Sequence, residues 1–246
     1  MNSLAQDKKH GKFDIGYATF GEGIKACLPT VLGYIGIGLA AGVVGRNSGL
    51  STLQIALMST LIYAGGSQFI ICSMLLLSSP LQAIIMTTFL VNLRNFLMSL
   101  SASQYFKTYG ILPNIGIGTL LTDESYTVLM GAVQRKKHMS LSWMNGLNLT
   151  AYLTWILATV VGAMLGGLIP DPYRLGLDYA LVGMFAGLFI LQVELPIKER
   201  TKQTLLIIGV VAVGTYLLMG IVSPAMAVLL ATIAGCLTGV LTNDRN

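Results

Sequence analysis

The chain has 246 residues, of which 54% are hydrophobic and only 10% are Asp, Glu, Lys or Arg, against about 25% charged residues in an ordinary soluble domain. A soluble fold of this length needs a charged surface that this composition does not supply, so the class indicated is an all-α integral membrane protein. The net charge of +5 would suggest nucleic acid in a soluble protein, but here the basic residues flank apolar runs and act as topology signals, which argues against nucleic-acid binding.

Residues 1–23 carry Lys8, Lys9 and Lys12 and lack a short apolar core followed by a cleavage site, so they are read as a cytoplasmic segment and not as a removable signal peptide. Residues 24–246 are read as a single multi-span membrane domain. Apolar windows place spans near 26–45, 53–77, 81–106, 143–169, 179–194, 203–221 and 224–241, with Pro80, Pro170, Pro196 and Pro224 in or beside the connections. The stretch 111–133 is apolar for much of its length yet carries Asp123 and Glu124 in its middle. If it crosses, one face holds Lys8, Lys9, Lys12, Lys25, Arg135, Lys136, Lys137, Lys198, Arg200, Lys202 and Arg245, and the other only Arg46, Lys107 and Arg174. If it does not, the clusters at Arg135 and Lys198 fall on opposite faces and the bias largely disappears. Within a bundle of about seven to eight transmembrane helices, eight crossings with both termini cytoplasmic are therefore favoured, a re-entrant hairpin at 111–133 being the alternative.

At an offset of 124 residues Thr30 matches Thr154, Gly38 and Gly42 match Gly162 and Gly166, Ala56-Leu57 matches Ala180-Leu181, and Gln68 matches Gln192. Two internal repeats are one reading of this echo and chance in a biased composition is the other; four crossings per half make such repeats parallel, three make them inverted.

Taken in order, Gly33, Gly36, Gly38, Gly42 and Gly45 give the first span a small face for close helix approach, as Gly162 and Gly166 do later. Tyr63-Ala64-Gly65-Gly66-Ser67-Gln68 lies inside an apolar span, where adjacent glycines loosen the helix and something must satisfy the freed amides. One reading is a kink packed on a neighbour; the other is a broken helix whose amides face a carboxylate, with Ser67 and Gln68 adding polar contacts. In Asn92-Leu93-Arg94-Asn95 the arginine sits at the centre of a span, at a cost of about 2.5–3.5 kcal/mol, and needs a cavity or a partner. Asp123 and Glu124 are the acids available, either as a permanent ion pair or as one that the two charges of a zwitterion compete for. Gln192 and Glu194 are weaker candidates, explained by a solvated helix end. Cys27, Cys72 and Cys236 lie in apolar stretches, and His10 and His138 have no partner at ligand spacing, so neither a metal nor redox chemistry is expected. Gly36-Ile37-Gly38 and Gly116-Ile117-Gly118 lack the strand-to-helix context of a phosphate site, and no cofactor is expected.

These motifs resemble the AzlC-type large subunit of branched-chain amino acid exporters. The resemblance runs from Thr19-Phe20-Gly21-Glu22-Gly23 and Pro29 through Leu57-Met58-Ser59, Tyr63 to Phe69, Phe89 to Asn95 and Leu121 to Glu124, ending at Gly235-Cys236-Leu237-Thr238. Asn95 stands where the family pattern often has His, and Gly66 where Ala is usual. The resemblance implies a bacterial inner-membrane exporter of leucine, isoleucine and valine, with methionine as a further substrate, working with a small hydrophobic AzlD-like membrane subunit. Tyr63, Gly65, Gly66, Ser67, Gln68, Asn92, Arg94, Asp123 and Glu124 are the substrate-binding candidates. An intramembrane enzyme is disfavoured because Asp123-Glu124 alone cannot hold the metal that diphosphate chemistry requires. A channel and a non-transporting scaffold subunit are the alternatives to a carrier.

Overall fold

The computed structural model describes residues 18–135, 139–167, 179–222 and 224–242. Among them the chain forms ten helices and no strand: α1 Phe20–Asn47, α2 Thr52–Leu61, α3 Gly65–Leu76, α4 Leu81–Ser103, α5 Ile111–Thr119, α6 Asp123–Gln134, α7 Leu141–Gly166, α8 Ala180–Glu199, α9 Thr201–Leu218 and α10 Pro224–Leu241. A single 3-10 turn, Gln104–Phe106, extends α4. Phe20–Asn47, Leu81–Phe106, Leu141–Gly166 and Thr201–Leu218 are each long and apolar enough to cross a membrane, in keeping with an all-α membrane protein. Helix α1 starts well before the apolar window at 26 because Thr19 and Glu22 form a capping box: the Glu22 amide donates to Thr19 Oγ1 (3.3 Å) and the Thr19 amide to Glu22 Oε2 (2.7 Å).

The helices group into two compact units, Met1–Ser79 with Asn92–Val182, and Pro80–Val91 with Gly183–Asn246. The spine of the first is a glycine seam between α1 and α7. A methyl group on Gly42 would lie 2.1 Å from the Thr159 carbonyl oxygen, one on Gly162 2.2 Å from that of Leu39, and one on Gly146 2.2 Å from that of Phe20. Backbone therefore meets backbone, which only glycine permits. Gly23 meets Trp143, Gly38 meets Ala158 and Gly166 meets Val43, so the two helices run in the same direction. The seam uses Gly38 and Gly42 as the sequence suggests, but Gly33 and Gly36 face nothing within 4 Å; three residues apart, they share a face of α1 that points away from the contact.

The segments that hydropathy reads as a span at 53–77 and as the uncertain piece at 111–133 are both broken helices that double back. Helix α2 starts and α3 ends beside the C-terminal end of α1, where a methyl on Gly45 would meet Ile55 Cδ1 at 3.1 Å and Cys72 Sγ at 3.8 Å. Between those points the chain reaches the middle of α7, with Tyr152 Oη donating to the Thr60 carbonyl (3.0 Å) and the Trp155 ring against Gly65. The second hairpin lies along α4. Ser99 Oγ donates to the Gly118 carbonyl (3.0 Å) and Asn114 Nδ2 to that of Phe106 (3.1 Å), so α5 runs antiparallel to α4. Arg94 meets Asp123 and Ser101 meets Tyr126 (3.1 Å), so α6 runs parallel to it.

Two re-entrant hairpins thus enter from opposite ends of α1 and α7, and the crossing at 111–133 favoured on charge bias is replaced by one of them. Both segments double back, and α1 and α7 keep the same direction. Lys107 also moves: the Leu141 amide donates to Tyr109 Oη (3.3 Å) and Ser140 Oγ to the Ala18 carbonyl, which puts Lys25, Lys107 and Arg135 at one end of the unit and Arg46 at the other.

In the second unit α9 and α10 pack antiparallel, Gly235 against Val211 and Ile207, Gly214 against Ala231, with Gln203 Nε2 donating to the Gly239 carbonyl (3.0 Å). The side chain of Gln192 lies outside the described residues, as do Lys8, Lys9, His10, Lys12, Lys136, Lys137, His138, Pro170, Arg174 and Arg245.

Gly42→Ala is expected to destabilise the protein by about 1–3 kcal/mol through overpacking, whereas Gly36→Ala, facing open space, should be neutral or stabilising by about 0.5–1 kcal/mol. Thermal unfolding of the detergent-solubilised protein checks both; equal losses would mean that the seam is not the constraint.

Candidate functional site

The tips of the two hairpins meet near Tyr34 of α1 and Trp155 of α7, whose rings pack edge-on at 5.0 Å. Every broken helix leaves unbonded carbonyls or amides at its tip, and inside a membrane these need partners. The carbonyl end of α2 receives Tyr152 Oη, and that of α5 receives Asn148 Nδ2 at Ile117 (3.1 Å) and Ser99 Oγ at Gly118. The amide end of α6 is capped by Thr122, whose Oγ1 accepts from the Ser125 amide (3.3 Å) while Ser125 Oγ accepts from the Thr122 amide (2.9 Å). Asp123 and Glu124 add negative charge in its first turn. The amide end of α3 differs: its N-cap is Ala64, no side chain caps it, and its first turn is Gly65, Gly66 and Ser67 without an acid.

Around that uncapped end the side chains are held in place. Trp155 Nε1 donates to Gln68 Oε1 (3.3 Å), which turns Gln68 Nε2 into a donor that has no partner among the described residues although Gln68 is only 2% exposed. Ser67 Oγ donates to Asn92 Oδ1 (2.8 Å) and ties α3 to α4. Gly65 has no side chain because the Trp155 ring occupies the space, 2.8 Å from where a methyl would be. Tyr63, the residue at the turn, adopts a left-handed backbone (φ 42°) that costs a non-glycine residue about 1–2 kcal/mol. Its ring packs edge-on to Tyr152 at 4.8 Å, and its buried hydroxyl has no partner among the described residues.

The two acids of α6 take different partners. Arg94 Nη2 donates to Asp123 Oδ2 (2.7 Å), the pairing that the sequence suggests, with Asp123 15% exposed and Arg94 43% exposed, so the arginine is half-exposed and not enclosed. Glu124 forms no ion pair among the described residues; Tyr34 Oη donates to its Oε2 (2.7 Å) and, having one proton, accepts from Thr122 Oγ1 (2.8 Å). All nine candidate residues thus lie in the first unit at or beside the tips. Glu194 does not join them: it pairs with Lys198 one turn on (2.7 Å), both exposed, as expected of a solvated helix end.

Sequence reasoning missed Tyr34, Tyr152 and Trp155, the aromatic side chains whose polar atoms reach the breaks. The available signal was that each lies inside a span and away from the interfaces where such residues usually gather. Among the described residues no group of His, Cys, Asp and Glu is arranged to hold a metal ion.

The family model described as AzlC protein matches residues 29–169, the stretch that holds both hairpins and all nine candidates. The chain is 30% identical to the Inner membrane protein YgaZ of Escherichia coli over 92% of this chain and 91% of that one. It is 31% identical to an uncharacterized membrane protein of Archaeoglobus fulgidus, over 85% and 92%. It is 24% identical to the Branched-chain amino acid transport protein AzlC of Bacillus subtilis, over 88% and 85%. No solved structure matches.

Tyr34→Phe removes the hydroxyl that bridges Glu124 and Thr122 and strands a buried acceptor, at a cost of about 1–3 kcal/mol. A lowered unfolding temperature at unchanged helix content, read by circular dichroism, is the expected result.

Proposed function

The chain belongs to the AzlC family, and from that premise we propose that it is a membrane transporter exporting branched-chain amino acids, namely leucine, isoleucine and valine, with methionine as a further substrate. The observation that carries this reading is the unequal finish of the two hairpin tips. One tip is an uncapped helix N-terminus with Gln68 Nε2 beside it, a ready site for a carboxylate. The other presents Glu124 with no cationic partner among the described residues, a site for an ammonium group. A zwitterion brings one charge to each. The remaining demand of an aliphatic side chain is apolar surface, and Ile62 and Leu121 at the tips supply it.

In this reading Gly65, Gly66, Ser67 and Gln68 take the carboxylate, with Tyr63 beside them, and Glu124 takes the ammonium. Asp123 and Arg94 neutralise one another and hold the α6 tip on α4, as Ser67 and Asn92 hold the α3 tip. The transport activity in the name of the Bacillus subtilis relative supports the substrate class. The chain works as the large subunit beside a small hydrophobic AzlD-like membrane protein. It lies in the bacterial inner membrane with both termini cytoplasmic, an orientation favoured by Lys25, Lys107 and Arg135 at one end of the first unit.

Efflux of preloaded radiolabelled leucine, from cells lacking their own exporters, tests the proposal with the chain expressed alone and with its small subunit. Faster efflux in the complex, reduced by about 2 kcal/mol or more of apparent affinity in Glu124→Gln and in Gln68→Leu at equal membrane abundance, is expected. Undiminished efflux in both variants would remove the tips as the site, and no efflux of any branched-chain amino acid would remove the substrate.

A further inference from the structure

Below the tips the first unit holds a cavity of about 760 Å³, within the range of small-molecule sites. Tyr63 and Asn92 line its inner end, and Ser103, Lys107 and Asn114 its outer end. One wall is a polar stripe on α4, where Asn92, Asn95, Ser99 and Ser103 recur at helical spacing. A lipid-facing helix has no use for such a stripe, and the fold uses only part of it: Asn92 Oδ1 accepts from Ser67 Oγ and Ser99 Oγ donates to the Asn95 and Gly118 carbonyls. Asn114 Nδ2 donates to the carbonyls of Phe106, Tyr109 and Gly110, each at 3.1 Å, which fixes its Oδ1 as an acceptor. That oxygen is buried without a partner among the described residues, and so is Asn95 Oδ1. Lys107 at the outer end is exposed.

We propose that this cavity is a vestibule with its own amino-acid subsite, open at the end of the unit that carries Lys25, Lys107 and Arg135. There the ammonium of the zwitterion is received by the amide oxygen of Asn114 and its carboxylate by Lys107. The Asn95 and Asn92 amides then lead it inward to Tyr63 and the hairpin tips. The occupant rests on the transport reading above, but the subsite residues Asn114 and Lys107 are not among the tip residues, although the inner end of the cavity shares Tyr63 and Asn92 with them. The geometry has a direction: the vestibule reaches the tips from one end of the unit, which by the positive-inside rule is the cytoplasmic one, where an exporter loads.

The test uses the full chain with its small subunit in sealed vesicles of both orientations. Cys236→Ala removes the exposed cysteine, Cys27 and Cys72 being buried. Asn95→Cys and Ser103→Cys are then exposed to a charged, membrane-impermeant methanethiosulfonate, with Leu97→Cys as a control on the outward face of α4, where Leu97 is 60% exposed. Both vestibule cysteines should react from the Lys107 end only, and leucine at about ten times its KM should slow Asn95→Cys about tenfold, while Leu97→Cys stays unmodified. Reaction from the opposite face, or no reaction at either vestibule position, overturns the proposal. Leucine transport by the cysteine-depleted parent is measured in the same vesicles. Transport without protection at either position removes the vestibule and leaves the function standing. No transport of any branched-chain amino acid removes the function, and the amino-acid occupant with it.

Discussion

A helix that stops in the middle of a membrane leaves carbonyls or amides that lipid will not bond, and the first unit of this protein is organised around four such ends. Three are finished by the protein itself. The carbonyl ends of α2 and α5 draw hydroxyl and amide donors from α4 and α7, and the amide end of α6 caps itself through Thr122 and Ser125. The fourth, the amide end of α3, receives no side-chain cap. An unfinished end among three finished ones is the feature from which the proposed site follows, because the same chemistry was available to close it and is absent there.

The ends stay where they are because α1 and α7 meet backbone to backbone. With carbonyl oxygens of one helix about 2.1–2.2 Å from where the other's glycines would carry a methyl, the pair has no slack to slide. Tyr34 and Trp155 project from this seam into the tips, so their positions are inherited from the glycines. The hairpins, in contrast, join it through side chains: Trp155 to Gln68, Tyr34 to Glu124, Tyr152 to Thr60. Single hydrogen bonds of this kind contribute about 1 kcal/mol each, and the left-handed backbone at Tyr63 works against the α3 tip by a similar amount. A rigid spine with lightly fastened tips suits a site that must both hold a solute and release it.

Much of this was legible in the sequence. The long apolar spans, the glycines at 38, 42, 162 and 166, the loosened stretch at Gly65-Gly66 and the Arg94–Asp123 pair all follow from residue type and spacing. Direction was not legible. Hydropathy measures how much apolar chain there is, and two helices of 10 and 12 residues, Thr52–Leu61 and Gly65–Leu76, add up to the length of one span whether the chain continues or turns back. Charge bias failed at 111–133 for a related reason. One hairpin alone would have put Arg135 at the opposite end from Lys25, and the second hairpin brings it back to the same end. Tyr34, Tyr152 and Trp155 were overlooked because an aromatic residue in a span reads as filler until its polar atom is seen to reach a helix end.

Adjacent acids at positions 123 and 124 look redundant in the sequence, but consecutive residues on a helix point about 100° apart and meet different neighbours. Asp123 reaches α4 and is neutralised by Arg94, whereas Glu124 reaches α1 and accepts from Tyr34 Oη, with no ion pair among the described residues. On the proposed reading the two therefore divide the work, one fixing the tip and one supplying charge to the substrate. This differs from an arrangement in which Arg94 itself exchanges partners with the zwitterion. An arginine that is half-exposed and tied to α6 at 2.7 Å serves poorly as the carboxylate's receiver when the other tip offers a helix end without a side-chain cap and an amide donor that has no partner among the described residues. Glycine suits that role because it carries no side chain to hold the carboxylate away from the backbone. An acidic residue in the first turn of α3 would cap the end and close it to substrate, and it is this absence, set against the two acids opposite, that makes the pair of tips complementary to one positive and one negative group.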